Sequence, residues 1–132
     1  MVKPPLSPFA AFIGISIDEF SKGRVRCSVN LLDHHMNNGG RVHGGVLTSL
    51  ADTAAGAAVR TLRPEGMLTA TTDLSISFIR PPTNDGLTAI AEVIHAGKSL
   101  YRVEIGIFCS DKLVAKTNAT FMLIEKAKYS TS

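Results

Sequence analysis

One segment limits the possible folds more than any other: Val46 to Arg60, VLTSLADTAAGAAVR. Its length, its alanine content and its lack of β-branched clusters predict a helix, the only long one in the chain. Leu47, Leu50, Ala51, Ala54 and Ala58 fall on one stripe at helical spacing. The rest of the surface is scarcely more polar and carries only Thr48, Ser49, Asp52 and Thr53. A helix this apolar all round must be covered on most sides. With 132 residues in all, the remainder of the chain has to supply that cover.

The remainder reads as strands. Phe9 to Ile13 suits a short helix after a proline-rich arm over residues 1–8. Ile15 and Ile17 alternate with Ser16 and Asp18, Ser21-Lys22-Gly23 turns the chain, and Arg24 to Asn30 returns as the second strand of a hairpin. After the helix come strands at Thr69 to Arg80, Leu87 to Ala96, Leu100 to Ser110 and Leu113 to Ile124. Pro81-Pro82 stops the first of these, a turn follows at residues 83–86, and Gly97-Lys98 and Asp111-Lys112 make the later turns. One face of the third strand of this group gathers Tyr101, Val103, Ile105, Ile107 and Cys109, and one face of the last gathers Leu113, Ala115, Ala119, Phe121 and Leu123. Short connections make these four strands neighbours in a meander. Residues 125–132 are polar and frayed. The expected fold class is α+β: a curved antiparallel sheet wrapped around one long central helix, in a single domain spanning residues 1–132.

Composition narrows the function. With 45% hydrophobic and 19% charged residues, the chain is too apolar for disorder. No apolar run reaches the roughly 18 residues of a membrane-spanning helix. The first residues, MVKPPLSPFAAFIGI, lack the unbroken apolar stretch of a signal peptide. A cytoplasmic protein with no membrane partner is expected. Cys27 and Cys109 sit in strands and read as two buried thiols. The net charge of +3 comes without a run of five like charges, so no nucleic-acid partner is expected. The mild positive bias suits a small anionic ligand.

The chemistry gathers around the helix. A glycine-rich loop, NNGGRVHGG from Asn37 to Gly45, runs straight into its start. The first backbone N–H groups of a helix have no intrahelical partner, and the dipole adds partial positive charge, so this end suits an anion or an oxyanion. His43 stands at its mouth. Asp52 lies eight residues beyond Gly44, about 12 Å along the axis. A single helix cannot easily bring both groups to one substrate. Two antiparallel copies at a two-fold axis can, with Ala55 and Gly56 permitting close approach, and this implies an obligate symmetric dimer with two shared sites. Taken singly, each residue has a plainer explanation: a structural acid at Asp52, a capping histidine at His43, a tight turn at the glycines.

The string Asn37-x5-His43-Gly44-Gly45-x6-Asp52 resembles the signature of hotdog-fold acyl-CoA thioesterases of the phenylacetyl-CoA thioesterase (PaaI-like) branch. The segment TTDLSISFIRP, Thr71 to Pro81, resembles that family's strand after the helix, and the likeness covers nearly the whole chain. The resemblance implies the hotdog fold and hydrolysis of an acyl- or aryl-CoA by Asp-assisted attack of water. It assigns the Gly44 N–H to polarising the thioester carbonyl and the Asn37 amide to assisting it. Asp52 becomes the base or the nucleophile, supplied by the opposite subunit. Thr71 helps hold the attacking water, and His43 shapes the loop. It implies a homodimer, or a homotetramer, with an acyl-CoA substrate.

No cofactor and no metal is expected, because His34, His35 and His43 lack zinc-ligand spacing. His34-His35 reads as a solvated loop pair. Arg80, Lys98 and Arg102, near strand ends, are candidates for the coenzyme A phosphates. Phe9, Phe12, Leu47 and Leu50 are candidates for the acyl pocket from family layout. A non-catalytic acyl-CoA-binding hotdog protein is the alternative. A hotdog dehydratase fits the HGG-x6-D string less well.

Overall fold

The computed structural model describes residues 1–83 and 86–129, the side chains of Lys128 and Tyr129 excepted. A short helix, α1 (Pro8–Ile13), leads into the hairpin β1 (Ile15–Ser21) and β2 (Arg24–Asn30). The loop that follows contains a 3-10 turn at Asp33–His35 and ends in the long helix α2 (Gly44–Arg60). Four strands complete the sheet: β3 (Met67–Phe78), β4 (Gly86–Ala96), β5 (Leu100–Cys109) and β6 (Lys112–Glu125). A last turn of helix, α3 (Lys126–Tyr129), occupies part of the stretch expected to fray.

Proline at the first position and Ser7, whose hydroxyl accepts the Ala10 N–H, start α1, and Gly14 at φ +90° ends it. All six strands pair antiparallel in the order β1-β2-β4-β5-β6-β3. The expected meander therefore holds for β4, β5 and β6 but not for β3, which pairs with β6 and leaves β4 beside β2. Pro81 and Pro82 supply no N–H for a hairpin ladder, and the backbone of Ile79 and Arg80 donates instead to the Val114 carbonyl. The chain then crosses to the far side of the meander. The turn expected at residues 83–86 falls partly outside the described residues. This makes β3, 12 residues long, an edge strand with one row of backbone groups unpaired.

Helix α2 packs most extensively on β4, β2 and β5. Its expected stripe of Leu47, Leu50, Ala51, Ala54 and Ala58 is buried, as is the β5 face of Tyr101, Val103, Ile105, Ile107 and Cys109. On β6 the face differs at one end. Val114 is buried with Ala115 and Leu113 is not, because the register slips between Ile107 and Phe108. Ala55 is fully buried against the core rather than available for a second helix. The side of α2 carrying Thr48, Ser49, Asp52, Thr53 and Gly56 is only half-covered. Cys27 is buried, and its thiol is pushed up to about 12 by burial and then by the charge of Asp18, so it stays protonated as a packing residue.

Thr117 on β6 is fully buried and its hydroxyl has no hydrogen-bond partner among the described residues. An unmet buried hydroxyl costs roughly 1–3 kcal/mol. Thr117→Val keeps the shape and removes the orphan, so it is expected to raise stability by about 1 kcal/mol. Denaturant unfolding at fixed protein concentration tests this, and a lower midpoint would contradict it.

Candidate active site

The loop before α2 is held by two histidines of different function. His35 is buried, contrary to the solvated pair expected from its sequence context. Its Nδ1 accepts the Leu32 N–H at 2.8 Å and its Nε2 reaches the Ile13 carbonyl at 2.7 Å. The ring thus straps the loop to the end of α1. The His35 carbonyl accepts the His43 N–H at 2.8 Å, which fixes where α2 begins.

His43 is the N-cap of α2, and its Nδ1 accepts the Gly45 N–H at 2.8 Å. It caps an amide rather than a carbonyl. A Cβ on Gly45 would lie 2.9 Å from that Nδ1, so the close approach of ring and backbone requires glycine. One N–H of the first turn is thereby consumed. The N–H of Gly44 has no partner among the described residues. A Cβ on Gly44 would sit 3.3 Å from Cζ of Phe78, whose ring closes over this end of the helix.

Asn37 lies in the same loop. Its Oδ1 accepts the N–H of Gly39 at 2.9 Å and of Arg41 at 3.1 Å. Both bonds orient the amide so that its NH2 group is the end left to donate. Asn37 and Gly44 line one cleft of about 310 Å³, together with Arg41, Phe78 and Arg80. Two donors thus line this cleft beside two cations.

Asp52 belongs to a different cleft. It lies on the open side of α2, and its Oδ1 accepts the Thr71 hydroxyl at 2.9 Å. Asp52 and Thr71 line a cleft of about 360 Å³ with Phe9, Thr48 and Leu74. None of the ion pairs among the described residues involves Asp52. Because Thr71 donates, its lone pairs stay free to accept from a water, while Oδ2 of Asp52 stays free to take a proton. The residues expected to act together therefore form two pairs within one chain, Asn37 with Gly44 and Asp52 with Thr71. The pairs are separated by two turns of α2 and open into separate clefts.

Of the cations expected to meet phosphate, Arg80 lines the Asn37–Gly44 cleft, whereas Lys98 and Arg102 line neither cleft. Among the acyl-pocket candidates, Phe9 borders the Asp52 cleft and Leu47 the Gly44 cleft. Leu50 is a core residue and Phe12 is 80% exposed. Arg41, the Phe78 ring and the His35 strap escaped sequence reasoning.

A family model described as the thioesterase superfamily matches residues 39–116, more than half of the chain. The chain belongs to the thioesterase superfamily. This thioesterase is 36% identical over 102 residues to a protein of Halobacterium salinarum, covering 74% of this chain and 67% of that one. It is 34% identical over 99 residues to the acyl-coenzyme A thioesterase PaaI of Escherichia coli, 73% of this chain and 69% of that one. The solved structure of E. coli PaaI superposes with a TM-score of 0.82 at 30% identity, covering 89% of this chain and 85% of the other. A conserved Pseudomonas aeruginosa protein, PA5202, superposes at 0.86 with 29% identity over 90% of this chain and 95% of its own. The fold is the hotdog, and the chain is a PaaI-like thioester hydrolase.

Mid-helix Gly56 sits one turn past Asp52, where a Cβ would meet Phe121 at an ordinary 3.7 Å. Alanine fits there and is the better helix former. Gly56→Ala is expected to stabilise the fold by about 0.5–1 kcal/mol. Thermal unfolding at fixed concentration measures this, and a loss of stability would show that a second helix packs closely against Gly56.

Proposed function

We propose that this thioesterase hydrolyses an acyl- or aryl-CoA at a composite site, with the acid pair of one protomer facing the donor pair of its twin. The carrying observation is the orientation of the donors. Asn37 has its oxygen engaged by two backbone N–H groups, and among the described residues neither its NH2 nor the Gly44 N–H has a partner. Two such donors lining one cleft suit the oxygen of a thioester carbonyl as it gains negative charge, a stabilisation typically of roughly 3–4 kcal/mol per donor.

The rest of the reaction uses the other pair. A water accepted by Asp52 and Thr71 loses its proton to Oδ2 of Asp52 as its oxygen bonds the carbonyl carbon. The tetrahedral oxyanion rests on Gly44 and Asn37. Its collapse breaks the carbon–sulfur bond and releases the thiolate of coenzyme A, a good leaving group, with the free acid. His43 acts indirectly by holding the start of α2. Direct water attack is preferred to a covalent route because the Thr71 hydroxyl already partners the carboxylate and offers a site for water.

The shared site follows from length. Asp52 stands about 12 Å from Gly44 along one helix, too far to serve one carbonyl. The unpaired edge of β3 and the half-covered side of α2 lie on the same flank, beside Phe78, which is 58% exposed. A symmetric dimer across this flank, with antiparallel helices, covers the exposed Phe78 ring and joins the two half-sites.

A hydrolysis screen over short, medium, long and aromatic CoA thioesters, read by release of free thiol, tests the reading. Turnover of at least one class is expected. Tight binding of acyl-CoA with no thiol release across the panel would leave a non-catalytic binding protein in its place.

A further inference from the structure

We propose that a second cleft beside Asp52 receives an anionic group of the substrate, held by Arg60 and Arg63. The proposal rests on the hydrolase reading above and specifies its substrate class.

Asp52, Gly56 and Arg60 follow one another at four-residue spacing and so lie along one side of α2. All three line a cleft of about 340 Å³ that also holds Arg63, just beyond the end of the helix. Gly56 has no side chain to fill this trough, and Phe121 and the proline-rich arm form its sides. The cleft mixes apolar lining from Phe9, Ile17 and Phe121 with polar groups, the acid near one end and two guanidinium groups at the other. None of the ion pairs among the described residues involves Arg60 or Arg63. The proton affinity of Arg63 is lowered, first by burial and then by the charge of Arg60. An arginine stays charged regardless. Two neighbouring cations, one partly desolvated and neither paired, form an arrangement that an anion would complete.

The separation is set by the helix: Arg60 is about 12 Å from Asp52 along its axis. An acyl chain leaving the carbonyl along this trough meets the arginines several methylenes on. The ligand chemistry is a carboxylate or a phosphate. A carboxylate at the far end of the acyl chain is favoured, because Arg41 and Arg80 flank the cleft of the donors and are available to the phosphates of the carrier. The substrate class is then the thioester of a dicarboxylic acid.

Binding of three non-hydrolysable probes to the full chain tests this by calorimetry: the pentyl and 4-carboxybutyl thioethers of coenzyme A, and the pentyl thioether of pantetheine. The 4-carboxybutyl probe is expected to bind about tenfold or more tighter than the pentyl probe, the scale of a charged hydrogen-bond pair. Arg60→Gln with Arg63→Gln is expected to erase that preference. If the double variant weakens both coenzyme A probes equally and spares the pantetheine probe, the arginines hold phosphate, and the anion site stands with the other source. If the wild type shows no preference and the variant changes no affinity, the proposal is overturned. Hydrolysis of pentanoyl-CoA in parallel separates the two levels. Normal turnover of pentanoyl-CoA together with equal binding of the pentyl and 4-carboxybutyl probes and no effect of the double variant on either sinks this inference alone, whereas no turnover there or across the thioester screen above sinks the hydrolase reading and leaves the binding result to decide this one.

Discussion

Asp52→Asn is expected to lower kcat by about 10³-fold, within the 10²–10⁴ range for loss of a general base. The substitution keeps size and shape, and an amide oxygen can still accept the 2.9 Å bond from the Thr71 hydroxyl. The carboxylate has no cation partner among the described residues, so its neutralisation strands no opposite charge. Folding and assembly should survive, with only the ability to take a proton lost. A variant that unfolds would show Asp52 to be a structural acid, and one that retains more than about a tenth of wild-type kcat would remove it from the proton transfer.

Asn37→Asp should be nearly as damaging, by roughly 10²–10³-fold in kcat. An aspartate still offers an oxygen to the N–H groups of Gly39 and Arg41, so the loop keeps its two internal bonds. It loses the NH2 donors and sets a negative charge where the oxyanion must form. Because that charge develops only in the transition state, KM should move less than kcat. A change confined to KM would mean that Asn37 binds substrate without stabilising the reaction.

How much of this could be read from sequence depended on range. The stripe of α2 and the alternation of β5 recur at short spacing, so periodicity reveals them. The placement of β3 against β6 rests on pairs such as Thr71 with Phe121, far apart along the chain, and a rule that joins successive strands misplaces it. His35 looked solvated because it stands beside His34 in a loop, yet one of its ring partners, the Ile13 carbonyl, lies 22 residues upstream. The Asn37, His43, Gly44 and Asp52 string was legible as a spacing. What that spacing does became visible only through geometry: His43 uses up one amide, Gly44 keeps another, and Asn37 presents its donors. The bond between Thr71 and Asp52 spans 19 residues and joins a strand to a helix, so no local pattern announces it. Arg60 and Arg63 carried no signal of their own in the sequence, and only the cleft connects them to Asp52.

The composite site can be tested by mixing two broken chains. Asp52→Asn and Asn37→Asp chains, carrying different tags, are each assayed alone and then as purified heterodimers. If the acid of one protomer works with the donors of the other, each heterodimer holds one intact site and one doubly damaged site. About half of the wild-type activity per dimer is then expected. Heterodimers no more active than the two parent variants would contradict the account.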